Sequence, residues 1–491
     1  MFGRMERNDT GAVKHVDVLI VGAGISGISA AYHLQTRCPD RSYMIVEARA
    51  AIGGTWDLFR YPGVRSDSDM YTLGFAFRPW TGGKTIADGE SIRTYVEDTA
   101  KAFGIDRHIS FGVRIDRASW SSAERRWMVE GSGPEGTFAI TCSFIDLCAG
   151  YYDYAAGHAP VFAGADEFEG TIVHPQHWPA PLDVTGQRVV VIGSGATAVT
   201  LVPALADKAA HVTMLQRSPS YVVAMPAVDA VATWLRQALP TKAAYSAIRA
   251  KNILSSIVLF AAARRWPAAV KRRITGQVQL ALGADYDVGT HFTPRYAPWD
   301  QRVCLTPDGD LFAAIRKGDA SVATDTIDRL TTKGILLRSG QELPADIIVT
   351  ATGLTIKLAG GIAFAIDGTA VGFAGRLQYR GMMFDGIPNL INTFGYTNAS
   401  WTLKADLTAA YLCRLLNMMR RRGLLVARPS NNDAKMEKAA FVPFSSGYIE
   451  RAAGFLPTQG RKRPWRLNQN YLLDIIALRT GSLWRQMIFT T

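Results

Sequence analysis

The apolar positions of this chain fall into two kinds of run, short continuous ones and helically spaced ones. Val16-Asp17-Val18-Leu19-Ile20-Val21 is rich in β-branched residues and predicts a strand buried on both faces of a parallel sheet. It runs into Gly22-Ala23-Gly24-Ile25-Ser26-Gly27, and an apolar-periodic stretch then predicts a helix that ends by Pro39. Tyr43 to Val46 reads as the next strand, with Glu47 at its end. The pattern recurs downstream. Arg188 to Ile192 is a second buried-strand run, feeding Gly193-Ser194-Gly195-Ala196-Thr197-Ala198. A helix carrying Leu201, Val202 and Leu205 follows, then the strand His211 to Leu215 and the triplet Gln216-Arg217-Ser218. From Val228 to Leu282 the pattern turns helical, with the apolar run Ile253 to Ala263 inside it. Asp346 to Thr350 predicts a further strand, and Ala351-Thr352-Gly353 reads as a return from the second fold to the first.

Strand, glycine turn, helix, strand and acid, in that order, form the dinucleotide fingerprint. Gly22 makes the tight turn, Gly24 lets the backbone approach a pyrophosphate, and Gly27 lets helix and strand pack closely. The helix N-terminus presents free N–H groups to the phosphates. Glu47 stands where a carboxylate accepts from ribose hydroxyls, which suits FAD. In the second copy alanine replaces the last glycine, an accepted variant, and Arg217 follows the strand in place of an acid. A guanidinium without a carboxylate suits a ribose bearing a 2′-phosphate, hence NADPH. Two such folds in one chain imply an electron relay from nicotinamide to flavin.

A length of 491 residues exceeds what one hydrophobic core usually serves. The expected fold class is α/β, with two Rossmann-like domains and a helical insert in the second. The FAD domain is expected to span residues 1–155 and 351–491. The NADPH domain is expected over 156–350, with its insert at about 225–285. The net charge of +12 favours anionic ligands or acidic surfaces, but no zinc-finger spacing or aromatic RNA-binding signature accompanies it, so nucleic acid is not expected. Cys38, Cys142, Cys148, Cys304 and Cys413 form no CxxC pair, which argues against a disulfide reductase and for reduced thiols in the cytoplasm. The segment before Val16 has no apolar core, so no secretion signal is expected, and no uninterrupted apolar stretch is long enough to span a bilayer.

Between the two fingerprints, Phe168-Glu169-Gly170-Thr171-Ile172-Val173-His174-Pro175-Gln176-His177-Trp178-Pro179 resembles the FxGxxxHxxxWP signature of type I Baeyer–Villiger monooxygenases. Gly53 to Asp67 (GGTWDLFRYPGVRSD) is similar to the family's other signature, GGxWxxxxYPGxxxD. PWDQR and GYTNASWTLKADL resemble the actinobacterial subgroup of ethionamide-activating monooxygenases. The resemblance implies that NADPH reduces FAD, that reduced flavin adds O₂ to give a C4a-peroxyflavin, and that this attacks a ketone or a sulfur-containing small molecule. It places the fixed positive charge near the peroxide on Arg302, with Asp67 orienting it and Arg65 reaching the nicotinamide cofactor. It puts Thr55, Trp56, Asp57, Ser66 and Ile115 among the cofactor contacts, and Ser26, Ser194, Ala196, Thr197, Ala198, Gln216 and Ser218 beside the fingerprint residues. It also places Phe168 to Pro179 at a domain junction, linked to conformational cycling.

Several relatives outside the subgroup carry lysine before the active-site arginine, where this chain has Gln301, so NADPH preference leans on Arg217. A final helix is expected to begin near Ser400 or Thr402, its dipole facing the flavin ring. Trp401 and Lys404 read at least as readily as packing and surface residues as they do as cofactor contacts. Two histidines without a nearby acid or cysteine do not suggest a metal site. The basic insert reads first as a helical subdomain with a solvated face, and second as a weak peripheral contact with anionic membrane. Oligomeric state is open. The competing functions are an N- or S-oxygenating flavin monooxygenase and a flavin-binding, membrane-associated protein without turnover.

Overall fold

The structure is a computed structural model that describes residues 13–301, 303–442 and 446–491. Its first strand, β1 (His15–Val21), is central to one sheet because Val18, Leu19 and Ile20 are buried on both faces. It feeds α1 (Ile25–Arg37), whose Ile25, Ile28, Ala31 and Leu34 bury one face, and then β2 (Tyr43–Glu47). β1 pairs in parallel with β2 on one side and with Gly136–Leu147 on the other. Among the described residues this sheet has nine strands. Arg114–Ser121 and Arg126–Gly133 extend it as an antiparallel meander, and Leu390–Asn392 returns from the far end of the chain to join it.

The second sheet repeats the logic. β3 (Arg188–Ile192), α2 (Ala196–Ala206) and β4 (His211–Gln216) follow the same order, and the five strands are all parallel. Ile347–Thr350 lies beside β3 as Gly136–Leu147 lies beside β1. Thr171–Val173, from the Phe168–Pro179 segment, closes one edge.

The insert folds as three helices, Ala230–Ala238, α3 (Thr241–Arg265) and Pro267–Leu282. Tyr245, Ile248, Arg249 and Ile253 of α3 are buried against the body. By length and composition α3 is long and apolar enough to cross a membrane, unlike its apolar run Ile253 to Ala263 taken alone. The final long helix, α4 (Trp401–Arg422), starts within the expected range and stops at Gly423 in the left-handed conformation. Lys404, on its first turns, is not a surface residue. It is buried and paired at 2.8 Å with buried Asp474.

Candidate active site

The two folds face a shared cavity of about 600 Å³, within the range of cofactor sites. On the first fold's side, Gly22 has φ +108° and a Cβ there would sit 2.6 Å from the Cys148 carbonyl. A Cβ on Gly27 would meet the Gly22 carbonyl at 1.9 Å, so the strand–helix approach permits only glycine. Gly24 is different. Its nearest protein neighbour would be 3.5 Å away, so the protein itself leaves room there and the bare backbone faces the cavity. Gly24 is also the N-cap of α1, with no side chain capping the first turn. Those N–H groups stay available to an anion.

Glu47 closes the far side of this cradle. Its Oε2 accepts from Ala23 N–H and its Oε1 from Arg49 N–H, both at 2.8 Å, and burial pushes its carboxyl above the usual range. The cradle fits the adenine dinucleotide of FAD: an uncapped helix for phosphates and a buried carboxylate acceptor beyond it. Thr55, Trp56, Ser66, Asp67 and Ile115 line the same cavity, as do Ser26 and Arg65. Ser26 Oγ accepts from Trp401 Nε1 at 2.7 Å, which ties the start of α4 to the fingerprint. Gly27 and Asp57 lie behind the wall. Asp57 is held by Arg49 and Arg60 instead and shapes the loop that carries Thr55 and Trp56.

The second fold contributes Ala196 and Thr197 to this cavity. Gly193 has φ +141°, and a Cβ there would lie 2.4 Å from the Ala351 carbonyl. A Cβ on Gly195 would meet nothing within 4 Å, and α2 starts on it without a side-chain cap. Ala198 is buried where Gly27 stands in the first copy, its methyl accommodated. Gln216 is buried and turned inward, its Nε2 donating to the His291 carbonyl (2.8 Å) and to Thr324 Oγ1 (2.9 Å). Arg217 is exposed and, among the described residues, has no acidic partner. Ser194 Oγ donates to the Ser218 carbonyl at 3.1 Å, bringing the two ends of the fingerprint together. Gly195, Ser194 and Arg217 therefore form an exposed, cationic cradle that fits a phosphorylated dinucleotide.

The loop Tyr61 to Asp67 joins the two sides. Gly63 has φ +73°, and a Cβ there would sit 2.7 Å from Ala204 of α2, so the turn abuts the second fold directly. Buried Tyr61 reaches Thr197, and burial lifts its phenol to about 12. Arg65 Nη1 donates to Asp310 Oδ2 at 2.5 Å, an ion pair from one fold to the other. Asp67 faces the cavity. Arg302 lies outside the described residues.

The Phe168–Pro179 segment sits on both chain crossovers. Gln176 Nε2 donates to the Asp153 carbonyl (2.8 Å), and His177 Nε2 bonds the Ala155 carbonyl (2.9 Å). Asp153 N–H in turn bonds the Thr355 carbonyl on the segment that returns after Ile347–Thr350. The His174 ring packs so tightly on Gly157 that a Cβ there would lie 2.1 Å away, and burial lowers its imidazole pKa. The sequence reading missed Tyr151, Tyr152, Tyr154 and Asp310. The run Gly150-Tyr151-Tyr152-Asp153-Tyr154, directly after a strand that ends at the crossover, was the available signal for the three tyrosines, all of which line the cavity.

Two dinucleotide fingerprints, each lending the first turn of its helix to one cavity, define a flavoprotein of the two-nucleotide oxidoreductase class. Residues 85–259 match the flavin-binding monooxygenase-like family, and residues 20–80 match the NAD(P)-binding Rossmann-like domain. The chain is 55% identical to the FAD-containing monooxygenase EthA of Mycobacterium tuberculosis, over 96% of each chain. It is 49% identical to that organism's putative FAD-containing monooxygenase MymA, over 94% of each. The fold is shared with a steroid monooxygenase solved with NADP (TM-score 0.75, 22% identity, covering 97% of this chain and 99% of that one). It is shared as well with a cyclohexanone monooxygenase solved with ε-caprolactone (TM-score 0.75, 20% identity, 97% and 100%). The chain belongs to the FAD-containing monooxygenases.

Proposed function

We propose that this enzyme is an NADPH- and FAD-dependent Baeyer–Villiger monooxygenase that converts ketones to esters or lactones and also oxidises sulfides and thioamides with O₂. The observation that carries the reading is one cavity lined by Gly22, Gly24 and Glu47 of the first fold and by Ala196, Thr197 and Thr200 of the second, together with an exposed Arg217 in place of an acid after β4. FAD, when bound, supplies the electron-transfer and oxygen-activating chemistry. The chain's own residues hold and shield it. Gly22, Gly24 and Gly27 shape the flavin cradle, Glu47 takes the ribose side, and Thr55, Trp56, Ser66 and Ile115 wall the cavity. Arg217 and Ser218 recognise the 2′-phosphate of NADPH, with Gly195, Ala196 and Thr197 taking the pyrophosphate side. Asp67 orients Arg302, which supplies fixed positive charge where an anion develops away from bulk water.

The domain division follows the same reading: residues 1–155 and 351–491 hold FAD, and 156–350 hold NADPH. The cytoplasm, where NADPH is made and thiols stay reduced, is the proposed location, and the basic insert supports peripheral contact with a membrane. The test is a ketone and sulfide panel with product identification for the wild type and Arg302→Ala. The wild type should give esters, and the variant should still be reduced by NADPH but form no ester. Oxidation confined to nitrogen or sulfur in the wild type, or intact ester formation by the variant, overturns the reading.

A further inference from the structure

The insert concentrates two features, positive charge and exposed apolar side chains. Between residues 228 and 282 there are nine cationic side chains and one carboxylate, Asp229, so this short segment carries eight of the twelve net positive charges. Even that carboxylate is paired with Lys251. The same segment holds nine of the twenty large hydrophobic side chains that stand exposed among the described residues. On α3, Leu254 (51% exposed) and Val258 (66%) lie on one stripe with Ala261 and Arg265, at helical spacing of four, three and four. Trp266 (59%) is exposed where α3 ends, and Trp234 (64%) is exposed on the preceding helix.

The opposite face of α3 is fixed. Arg249 is buried, and its Nη1 donates to the carbonyls of Tyr71 and Gly74, both at 2.7 Å. A helix clamped to the body along one face cannot leave it to cross a bilayer, so only the outer stripe is free to meet lipid. We propose that the insert is a monotopic docking surface for an anionic bilayer, with the Leu254–Val258 stripe and the exposed tryptophans entering the headgroup boundary and the arginines and lysines meeting lipid phosphates. Apolar residues flanked by cations, with tryptophan at the edge, match that interface chemically. A second copy of this chain would place eight net positive charges against eight more, which disfavours it as the occupant.

The placement has a consequence for the enzyme. The inner face of the same helix, through Ile253 and Ile257, packs on Tyr396, and Tyr396 and Ala399 line the cofactor cavity. A helix with lipid on one side and the cavity wall on the other gives membrane-dissolved substrates a short route to the site. This deepens the proposed reading, naming its substrates as lipophilic, membrane-partitioned ketones or sulfur compounds, and it rests on that reading for the chemistry only.

The experiment is flotation of the full-length, FAD-loaded protein with vesicles of phosphatidylcholine alone and of phosphatidylcholine with phosphatidylglycerol, at low and high salt. Retention by the anionic vesicles at low salt and release at high salt are expected. Leu254→Ser with Val258→Ser should abolish retention. Arg272→Gln with Arg273→Gln should weaken it roughly thirtyfold, about fivefold per cation. NADPH oxidation with a water-soluble ketone should be unchanged in both variants, which establishes that they fold. No retention, equal retention by the serine variant, or retention that resists salt overturns the proposal. Self-association of the wild type that the serine substitutions abolish would assign the face to a second copy and overturns it too. Vesicle binding without ketone oxidation would sink the catalytic reading and leave the docking surface standing.

Discussion

The two dinucleotide folds share one backbone plan, and three of the positions at which they differ separate them physically. Each has a parallel strand, a positive-φ glycine and a helix whose first turn no side chain caps. At the third fingerprint position the first fold has Gly27 and the second Ala198. At the end of the next strand, Glu47 contrasts with Gln216 followed by Arg217. In the neighbouring strand, Asp146 aligned with Ile20 contrasts with Val349 aligned with Val191. The shared features suit a phosphate cradle; the differing ones are those on which the proposed division between FAD and NADPH rests.

The sharpest break of this symmetry should come at the third position. In the first fold a Cβ would overlap the Gly22 carbonyl at 1.9 Å, whereas the second fold already carries one. Gly27→Ala is expected to cost on the order of 4 kcal/mol or more, since the obstacle is backbone and cannot rotate away. The purified protein should lose its bound flavin, read from the absorbance ratio of flavin to protein. A flavin-replete Gly27→Ala enzyme with wild-type melting would show that the two cradles are packed alike.

Asp146 gives the next largest difference. It is fully buried, its Oδ2 has no partner, and burial pushes its carboxyl from 3.8 to about 7. The folded chain therefore keeps a proton that the unfolded chain has released. Stability falls as pH rises from about 4 to about 7 and is level above that. The fall is about 4 kcal/mol at most by linkage. Thermal melts across this range should show the slope in the wild type and its loss in Asp146→Asn. Val349, at the matching place in the second sheet, has nothing to titrate, so Val349→Asn should destabilise without creating a slope. An unchanged slope in Asp146→Asn would remove Asp146 from the account.

Arg217 is the residue by which the proposed reading separates the folds by ligand. Arg217→Ala should raise the KM for NADPH by about 10- to 100-fold, the worth of a charge-assisted hydrogen bond, and leave NADH nearly unaffected. The measurement is kcat/KM with each nucleotide. Equal losses would mean that the exposed guanidinium does not read the 2′-phosphate.

Much of this comparison is legible in the chain itself. Glycine turns, continuous apolar runs and the residue closing each second strand are local, and the structure keeps them where the pattern puts them. What could not be read depends on distant partners. Gln216 follows a strand like a ligand contact, yet its amide is taken by His291 and Thr324, far along the chain. Lys404 reads as a helix-surface residue until Asp474 is folded against it. Asp146 sits in an apolar strand where nothing local marks its isolation. The membrane reading of α3 required knowing which face Arg249 clamps, which helical spacing alone does not tell.

The smallest expected effect bears on how the folds are joined. The resemblance to known monooxygenases implies that Arg65 reaches the nicotinamide cofactor, yet here it pairs with Asp310 at the start of a second-fold helix. Arg65 is 13% and Asp310 33% exposed, so solvent screens the pair and its coupling should be about 1 kcal/mol in a double-mutant cycle. The two roles part on cofactor affinity. If Arg65 only ties the folds, Arg65→Ala and Asp310→Ala should weaken NADPH binding alike, because each loosens the same contact. If Asp310 holds Arg65 in reserve, Asp310→Ala should bind NADPH as well as the wild type or slightly better, while Arg65→Ala binds it worse. Titration of NADPH into the oxidised, FAD-loaded variants reads the difference directly. The second outcome would make the ion pair across the folds a contact that the nucleotide displaces, with the Tyr61–Asp67 loop joining two unequal cradles in sequence rather than at rest.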